Sequence, residues 1–233
     1  TKYKIIIYDN FTRNSKKFLT LNKNIKIIKG DINDSKKLQL LLKKIDIVIH
    51  AAAIAGVSSY YKLPMRVITT NFNGTNNLLD CIKKSKNVKF MINFSTSEIY
   101  GDQNKELSEI DMLKTYPPNE LRSVYAKSKI LSEQLCYCYS LENKFKIITL
   151  RPFNIYGPGQ VGEGAIANFI DQALKNKPLL VTNKGLAKRA WCFIDDFTDV
   201  VELIIRNYTK IKFENYFQYF NIGNPETLIN TKS

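Results

Sequence analysis

Short apolar runs alternate with longer stretches of helical periodicity along most of this chain. Lys4–Tyr8 (KIIIY) is a continuous apolar run stopped by Asp9 and Asn10, and Ile25–Ile28 repeats the pattern before Gly30 and Asp31. Asp46–His50, Val88–Phe94 and Ile147–Leu150 are further runs of the same kind. Runs of this length suit strands buried on both faces, as in a parallel sheet. Lys36–Lys44 reads as a helix behind an Asp34-Ser35 cap, with Leu38, Leu41, Leu42 and Ile45 on its apolar side. Pro64–Ser85 reads as a long helix carrying Val67, Ile68, Phe72, Leu78, Leu79 and Ile82, and Ser123–Leu141 as another. Asp102–Leu121 is polar and irregular, because Pro117-Pro118 removes two backbone donors. Ala165–Lys175 predicts a helix, Leu179–Val181 and Ala190–Ile194 short strands, Asp196 to Asn207 a helix, and Phe217–Ile222 a last strand.

Strands alternating with helices at this spacing predict right-handed crossovers and an α/β fold with a doubly wound parallel sheet. Ligands of such sheets sit outside the carboxyl ends of the strands. Asp9, Asp31, His50–Ala53, Ser95-Thr96 and Arg151–Asn154 all fall at or just after such ends, which places them around one shared cleft.

Composition adds limits. The chain has 233 residues, enough for one large or two small domains. No apolar run approaches the ~20 residues that cross a bilayer. Four cysteines (Cys81, Cys136, Cys138, Cys192) fit no zinc spacing, so reduced thiols in a cytoplasmic protein are expected, with no metal site. The net charge of +14 raises the question of an anionic partner. The lysines are dispersed as pairs (Lys16-Lys17, Lys36-Lys37, Lys43-Lys44, Lys83-Lys84) with no basic run, which favours a solvated surface over nucleic acid or membrane.

Candidate chemistry concentrates between Phe94 and Lys129. The stretch opens F-S-T-S-E-I-Y-G and closes S-V-Y-A-K-S-K. On a helix, Tyr125 and Lys129 stand at i and i+4 and share a face. A free phenol ionises near pH ~10 and is a poor base at neutral pH. An ammonium within ~4–6 Å favours the phenolate. A hydroxyl from Ser95, Thr96 or Ser97 can hydrogen-bond the same substrate oxygen. Glu98 reads two ways: a polar turn residue before Tyr100, or a second acid–base group beside Thr96.

The cofactor side offers further candidates. A carboxylate at Asp9, ending an apolar strand, can accept both ribose hydroxyls of an adenosine and prefers NAD to its 2′-phosphorylated form; the competing readings are a turn before Asn10, and a 2′-phosphate drawn by nearby Arg13. Asp31 and Ile32 (G-D-I-N-D) either meet an adenine ring or simply end a strand and cap a helix. The small run Ala51, Ala52, Ala53 allows a close backbone approach by a ligand, or a close-packed turn. His50, the single histidine, reads as packed rather than catalytic, since Tyr125 already offers base chemistry. Arg189 suits a diphosphate, or lies on the surface beside Lys188.

These motifs, with V-I-H-A-A-A, N-F-N-G-T and L-R-P-F-N-I-Y-G-P-G, resemble the extended short-chain dehydrogenase/reductase family, and within it the NAD-dependent nucleotide-sugar epimerases, dehydratases and decarboxylases. The resemblance covers essentially the whole chain. It implies a bound NAD that oxidises a sugar carbon and later returns the hydride. Tyr125 would take the hydroxyl proton, Lys129 would bind the nicotinamide ribose and tune Tyr125, and Thr96 falls on the catalytic Ser/Thr position. Asp9, Asn10, Asp31, Ile32, Ala51, Ala52, Ala53 and Asn71 fall on cofactor positions. Ser97, Asn154 and Arg189 fall on the substrate side, the last two where the family holds the nucleotide diphosphate. A homodimer through Pro64–Ser85 and Ser123–Leu141 is implied as well.

The family pattern begins with a strand and a G-x-x-G-x-x-G loop that wraps the pyrophosphate. The chain shows no such loop, starts where the second strand would stand, and looks short at its carboxyl end. The expectation is therefore a fragment: a Rossmann-like, NAD-binding part over residues 1–154 lacking the first strand and the glycine-rich loop. A smaller, incomplete substrate-binding part over residues 155–233 would interleave with the last strands. Such a polypeptide is expected to bind NAD weakly or not at all. The broadest branch, a 4-epimerase of a UDP-sugar, leads as the expected activity. Thr96–Glu98 (T-S-E) keeps a 4,6-dehydratase or a glucuronate-type decarboxylase close behind. An inactive relative or a basic nucleic-acid-binding protein is the alternative of another class.

Overall fold

The computed structural model describes residues 3–13, 22–102, 106–160, 164–181, 183–185 and 188–230. The Lys16-Lys17 pair lies outside them. Strand β1 (Ile5–Asp9) pairs in parallel with β2 (Ile25–Lys29), Asp9 opposite Lys29. Helix α1 (Ser35–Leu42) follows, its first turn capped by the Asp34 carboxylate, which accepts from the Lys37 amide at 3.0 Å. Then come β3 (Ile47–His50), a short helix α2 (Val57–Lys62), the long helix α3 (Pro64–Lys83) and β4 (Phe90–Phe94). Proline at the start of α3 costs no hydrogen bond there. Helix α4 (Val124–Asn143) leads to β5 (Lys146–Pro152) and β6 (Asn154–Tyr156). The chain continues through α5 (Ala165–Leu174), β7 (Lys188–Phe193), α6 (Ile194–Asn207), β8 (Phe217–Ile222) and β9 (Leu228–Asn230).

The fold class is the expected one: a parallel, Rossmann-like α/β sheet with helices on both faces. Strands β3, β4, β5 and β8 form its four-stranded parallel core in the order β3-β4-β5-β8. Side chains alternate across it. Met91 and Ile147 point to one face, where Leu78, Leu79 and Ile82 of α3 and Cys136 of α4 close over them. Phe90, Ile92, Ile148 and Leu150 point to the other face, against Phe197 and Ile204 of α6. Phe90, Met91 and Ile92 are completely buried, as a run apolar on both faces requires.

Among the described residues the β1–β2 pair is not hydrogen-bonded to that core sheet. It is held instead through helices. Gly74 on α3 lets Ile32 press in, since a Cβ there would come within 2.8 Å of the Ile32 Cγ2. Asn77 of α3 donates to the Ile32 carbonyl at 2.7 Å. Three local expectations change. No strand forms at 179–181, whose Leu180 is exposed. Strand β7 begins at Lys188 rather than Ala190, and β6 and β9 pair with it, β6 in parallel and β9 antiparallel. Helix α2 follows the small-residue stretch, over residues to which the sequence assigns no element.

Candidate active site

A cavity of about 280 Å³ opens at the carboxyl ends of β4 and β5. Ser95–Glu98 form one wall, Tyr60 and Tyr125 a second, Pro152–Ile155 a third, and Ala55–Val57 the floor. Of the strand-end residues expected around one cleft, Ser95, Thr96 and Asn154 line this cavity, as do the candidates Ser97, Glu98 and Tyr125, whereas Asp9, Asp31, His50–Ala53 and Arg151 do not.

The Thr96 backbone is extended and caps a single 3₁₀ turn, Ser97–Tyr100. Its hydroxyl accepts from the Glu98 amide at 3.2 Å, which leaves its own proton free to donate into the cavity. That turn also points Glu98 inward. Helix α4 begins one residue before Tyr125, behind a 3₁₀ turn over Leu121–Ser123. Tyr125 and Lys129 share a face as the spacing requires, the Lys129 Nζ lying 5.9 Å from the phenol ring centre.

Their electrostatics differ from the sequence expectation. The Lys129 ammonium donates to the Phe94 carbonyl at 2.7 Å, at the end of β4. Burial lowers its pKa to about 8. Burial pushes the Tyr125 phenol above its ordinary value, with Tyr60 and Glu98 adding to the rise and Arg13 opposing it. Lysine therefore holds the strand end through Phe94, and desolvation dominates at the phenol.

Around the pair the polar groups are nearly all satisfied. Asn71 accepts from the Ile54 amide at 2.7 Å and donates to the Ser128 hydroxyl at 2.9 Å, which braces the loop after β3 against α4. His50 is buried and bonded to Thr75 at 2.9 Å, and burial holds its pKa down at about 3. It is a packed, neutral imidazole, as the sequence suggests. Two groups are exceptions among the described residues: the Asn93 Oδ1 on β4, and the Ser95 hydroxyl, buried at the cavity wall, have no hydrogen-bond partner. An unsatisfied buried hydroxyl there fits a polar ligand group.

The cofactor candidates cluster at the ends of β1 and β2. The Asp9 carboxylate accepts from the Phe11 amide at 2.5 Å, and Asp31 accepts from the Asn33 amide at 2.9 Å and from the Asn10 side chain at 3.4 Å. Asp31 is held below the usual carboxylate range, chiefly by that Asn33 amide. Asp9 and Asp31 are exposed, with Ile32 half-buried next to Asp31, and this acceptor set fits the adenosine half of a dinucleotide. Ala51, Ala52 and Ala53 lead from β3 toward the cavity floor without lining it. Asn154 also donates to the Ala190 carbonyl at 3.3 Å, whereas Arg189 is exposed on β7, outside the cavity wall. Two residues that the sequence reading passed over complete the site. Tyr60 stacks on Tyr125, and Arg122 pairs with Glu98 at 3.0 Å.

Residues 1–223 match the profile of the NAD dependent epimerase/dehydratase family. The chain belongs to this family. It is 36% identical over 196 residues to a UDP-N-acetyl-alpha-D-glucosaminuronate decarboxylase of Bacillus cytotoxicus, covering 82% of this chain and 60% of that protein. It is 35% identical over 195 residues to a dTDP-D-glucose 4,6-dehydratase of Dictyostelium discoideum, covering 78% of this chain and 44% of that protein. Among solved structures, UDP-glucuronic acid 4-epimerase of Bacillus cereus in complex with UDP-glucuronic acid and NAD superposes with a TM-score of 0.81 at 31% identity, over 95% of this chain and 69% of that one. The chain thus spans about half of the curated relatives' length. Family members are NAD-dependent, in line with the motifs and with the fit of Asp9, Asp31 and Ser95. Among the described residues no helix is long and apolar enough to cross a membrane.

Proposed function

We propose that this chain carries the catalytic site of an NAD-dependent enzyme acting on a nucleotide sugar, and that its reaction is decarboxylation of a nucleotide-linked uronic acid after oxidation at C4. The carrying observation is the acid content of the cavity: among the described residues Glu98 is the one carboxylate on its walls, beside Thr96 and Tyr125.

Bound NAD would supply the hydride acceptor at the sugar carbon and give the hydride back. Tyr125 takes the proton from the sugar hydroxyl, and Thr96 donates a hydrogen bond to the same oxygen. With C4 a ketone, the C5–C6 bond breaks, CO2 leaves, and the electron pair moves onto the C4 oxygen held by Thr96 and Tyr125. Protonation at C5 and return of the hydride complete the reaction. Glu98, its charge offset by Arg122 at 3.0 Å, can accept a hydrogen bond from a sugar hydroxyl and so orient the uronate for loss of CO2.

Eliminating a 6-hydroxyl needs a base at C5 and an acid at O6. Here the residue beside Glu98 is Ser97, which supplies no second acid. A 4-epimerase, the activity the motifs first suggest, remains the second reading because of the likeness to the Bacillus cereus enzyme. The exposed apolar residues Leu131, Tyr137 and Leu141 of α4 support a homodimer through α3 and α4.

The test is to incubate the product of the complete reading frame with UDP-, dTDP-, GDP- and CDP-linked sugars and uronates. Release of CO2 from a uronate is expected. A 4-keto-6-deoxy product would make the enzyme a dehydratase, and isomer exchange at constant mass an epimerase; either overturns the decarboxylase assignment.

A further inference from the structure

Four side chains from three segments of the chain form a linked row beside the cavity, and Glu98, Tyr60 and Tyr125 line it. The Glu98 carboxylate accepts from the Arg122 guanidinium at 3.0 Å. That guanidinium lies over the Tyr60 ring, 5.3 Å from its centre. The Tyr60 ring lies flat on Tyr125, with centres 5.5 Å apart and planes 8° from parallel. At one end Thr96 holds the Glu98 backbone. Arg122 itself is fixed from behind, its amide donating to the Glu120 carboxylate at 2.9 Å.

We propose that Arg122 is a positioning residue that ties the acid Glu98 to the Tyr60–Tyr125 stack, so that the acid and the base of the cavity are held as one unit against the bound sugar. The inference rests on the nucleotide-sugar reading, but not on which reaction follows C4 oxidation. An ion pair this exposed contributes little to stability. Its geometric position is what sets it apart. A planar guanidinium can accept a carboxylate at its edge and lie on an aromatic ring with its face, and lysine cannot do both. The charged and titratable groups facing Tyr125 are Tyr60 from α2, Glu98 from the turn after β4, Lys129 from α4 and Arg13 from the segment after β1. Without Arg122, the Glu98 charge beside Tyr125 has lost its cation, and ionising the phenol becomes harder.

The test compares Arg122→Gln, Arg122→Lys and Glu98→Gln in the product of the complete reading frame, with whichever nucleotide sugar it converts. Arg122→Gln is expected to lower kcat about 100-fold, the scale of a misplaced catalytic group. KM should stay within about 2-fold and thermal stability should be unchanged. Arg122→Lys should recover part of the loss. In the Glu98→Gln background, Arg122→Gln should cost much less than it does alone, because the two act together. A KM rise equal to the kcat loss, a drop in melting temperature that tracks activity, or fully additive losses would overturn the proposal.

A second readout needs no turnover and separates this idea from the functional reading. In NMR spectra of the chain with labelled tyrosine rings, Arg122→Gln should shift the signals of both Tyr60 and Tyr125. If the Tyr125 signal does not move, the proposal fails whatever the enzyme's substrate proves to be.

Discussion

Tyr60 covers the face of Tyr125, with ring centres 5.5 Å apart and planes 8° from parallel. The contact buries Tyr60 to 2% exposure and fixes the ring on which the base hydroxyl sits. It also removes water from one side of the phenol, and burial is the main reason both tyrosines ionise late, with Tyr60 pushed up to about 12. Truncating Tyr60 to alanine should therefore destabilise the fold by about 3–5 kcal/mol, the range for large buried aromatics. Tyr60→Phe should cost less, about 1–2 kcal/mol, since it keeps the ring and loses only the hydroxyl's contacts with the Gly56 amide at 3.4 Å and with the Arg122 side chain. Urea unfolding of the two variants checks this, and equal losses would mean that the hydroxyl, not the stack, matters.

Tyr125→Phe keeps the ring and the stack and removes only the proton acceptor. Turnover of the nucleotide sugar should fall about 10²–10⁴-fold, the usual contribution of a positioned acid–base group. Binding of the nucleotide sugar by calorimetry should be retained. Near-normal turnover by this variant would remove Tyr125 from the mechanism.

A buried ion pair stands behind the site. Arg151 at the end of β5 holds both Glu133 oxygens, at 2.8–3.3 Å, and also donates to the Tyr100 hydroxyl at 2.7 Å and the Glu109 carbonyl at 3.0 Å. It therefore joins α4, β5 and the connection after β4. Removing one partner leaves a buried charge alone, so Glu133→Leu or Arg151→Met should each cost about 3–5 kcal/mol. The double replacement should recover most of that loss. Denaturant melts of the three variants decide it, and fully additive losses would show that the pair is not the source.

Most of the core sheet and the Thr96–Tyr125–Lys129 set were legible in the sequence. Their signals are local: a continuous apolar run marks β4, and the i,i+4 spacing marks Tyr125 and Lys129. Tyr60 and Arg122 were not legible, because their partners Tyr125 and Glu98 are reached only through the fold. Nor could periodicity show that β1 and β2 pair apart from the core sheet, since strand pairing is not written in a strand's own residues. The apolar Leu179–Val181 run misled for the same reason: it reads as a strand but has no neighbour to pair with among the described residues. The helical pair also suggested a lowered phenol pKa. Burial, invisible in sequence, reversed the sign.

His50 gives the fold a defined acid sensitivity. Its pKa falls from 6.5 unfolded to about 3 folded, because burial disfavours the charged ring, with Lys129 adding to the effect. Between those values the unfolded chain binds the extra proton, so stability falls as pH drops through that window. His50→Gln can keep a bond to Thr75 without titrating. Its stability should fall less than that of the parent chain between pH 6.5 and 3, measured by urea melts across that range. Parallel curves would show that other groups govern the acid limb.

Lys129 works in the same pH direction, over a higher window. Its folded pKa is lowered to about 8 from 10.5 by burial. Below about 8 the lysine is charged in both states, and the folded chain carries the full cost of a buried ammonium. Between about 8 and 10.5 the folded state sheds its proton while the unfolded state keeps it, so this contribution relaxes as pH rises. Lys129→Met removes the charge and keeps the volume, at the loss of the bond to the Phe94 carbonyl. At pH 7 it should be more stable than the parent by about 1–3 kcal/mol, and that advantage should shrink toward pH 10.5. The same variant should be inactive, since a destabilising group retained at a site is there for function. Melts at pH 7, 8.5 and about 10 read the trend directly. A Lys129→Met chain less stable than the parent at neutral pH would mean that the bond to Phe94 outweighs the burial of the charge.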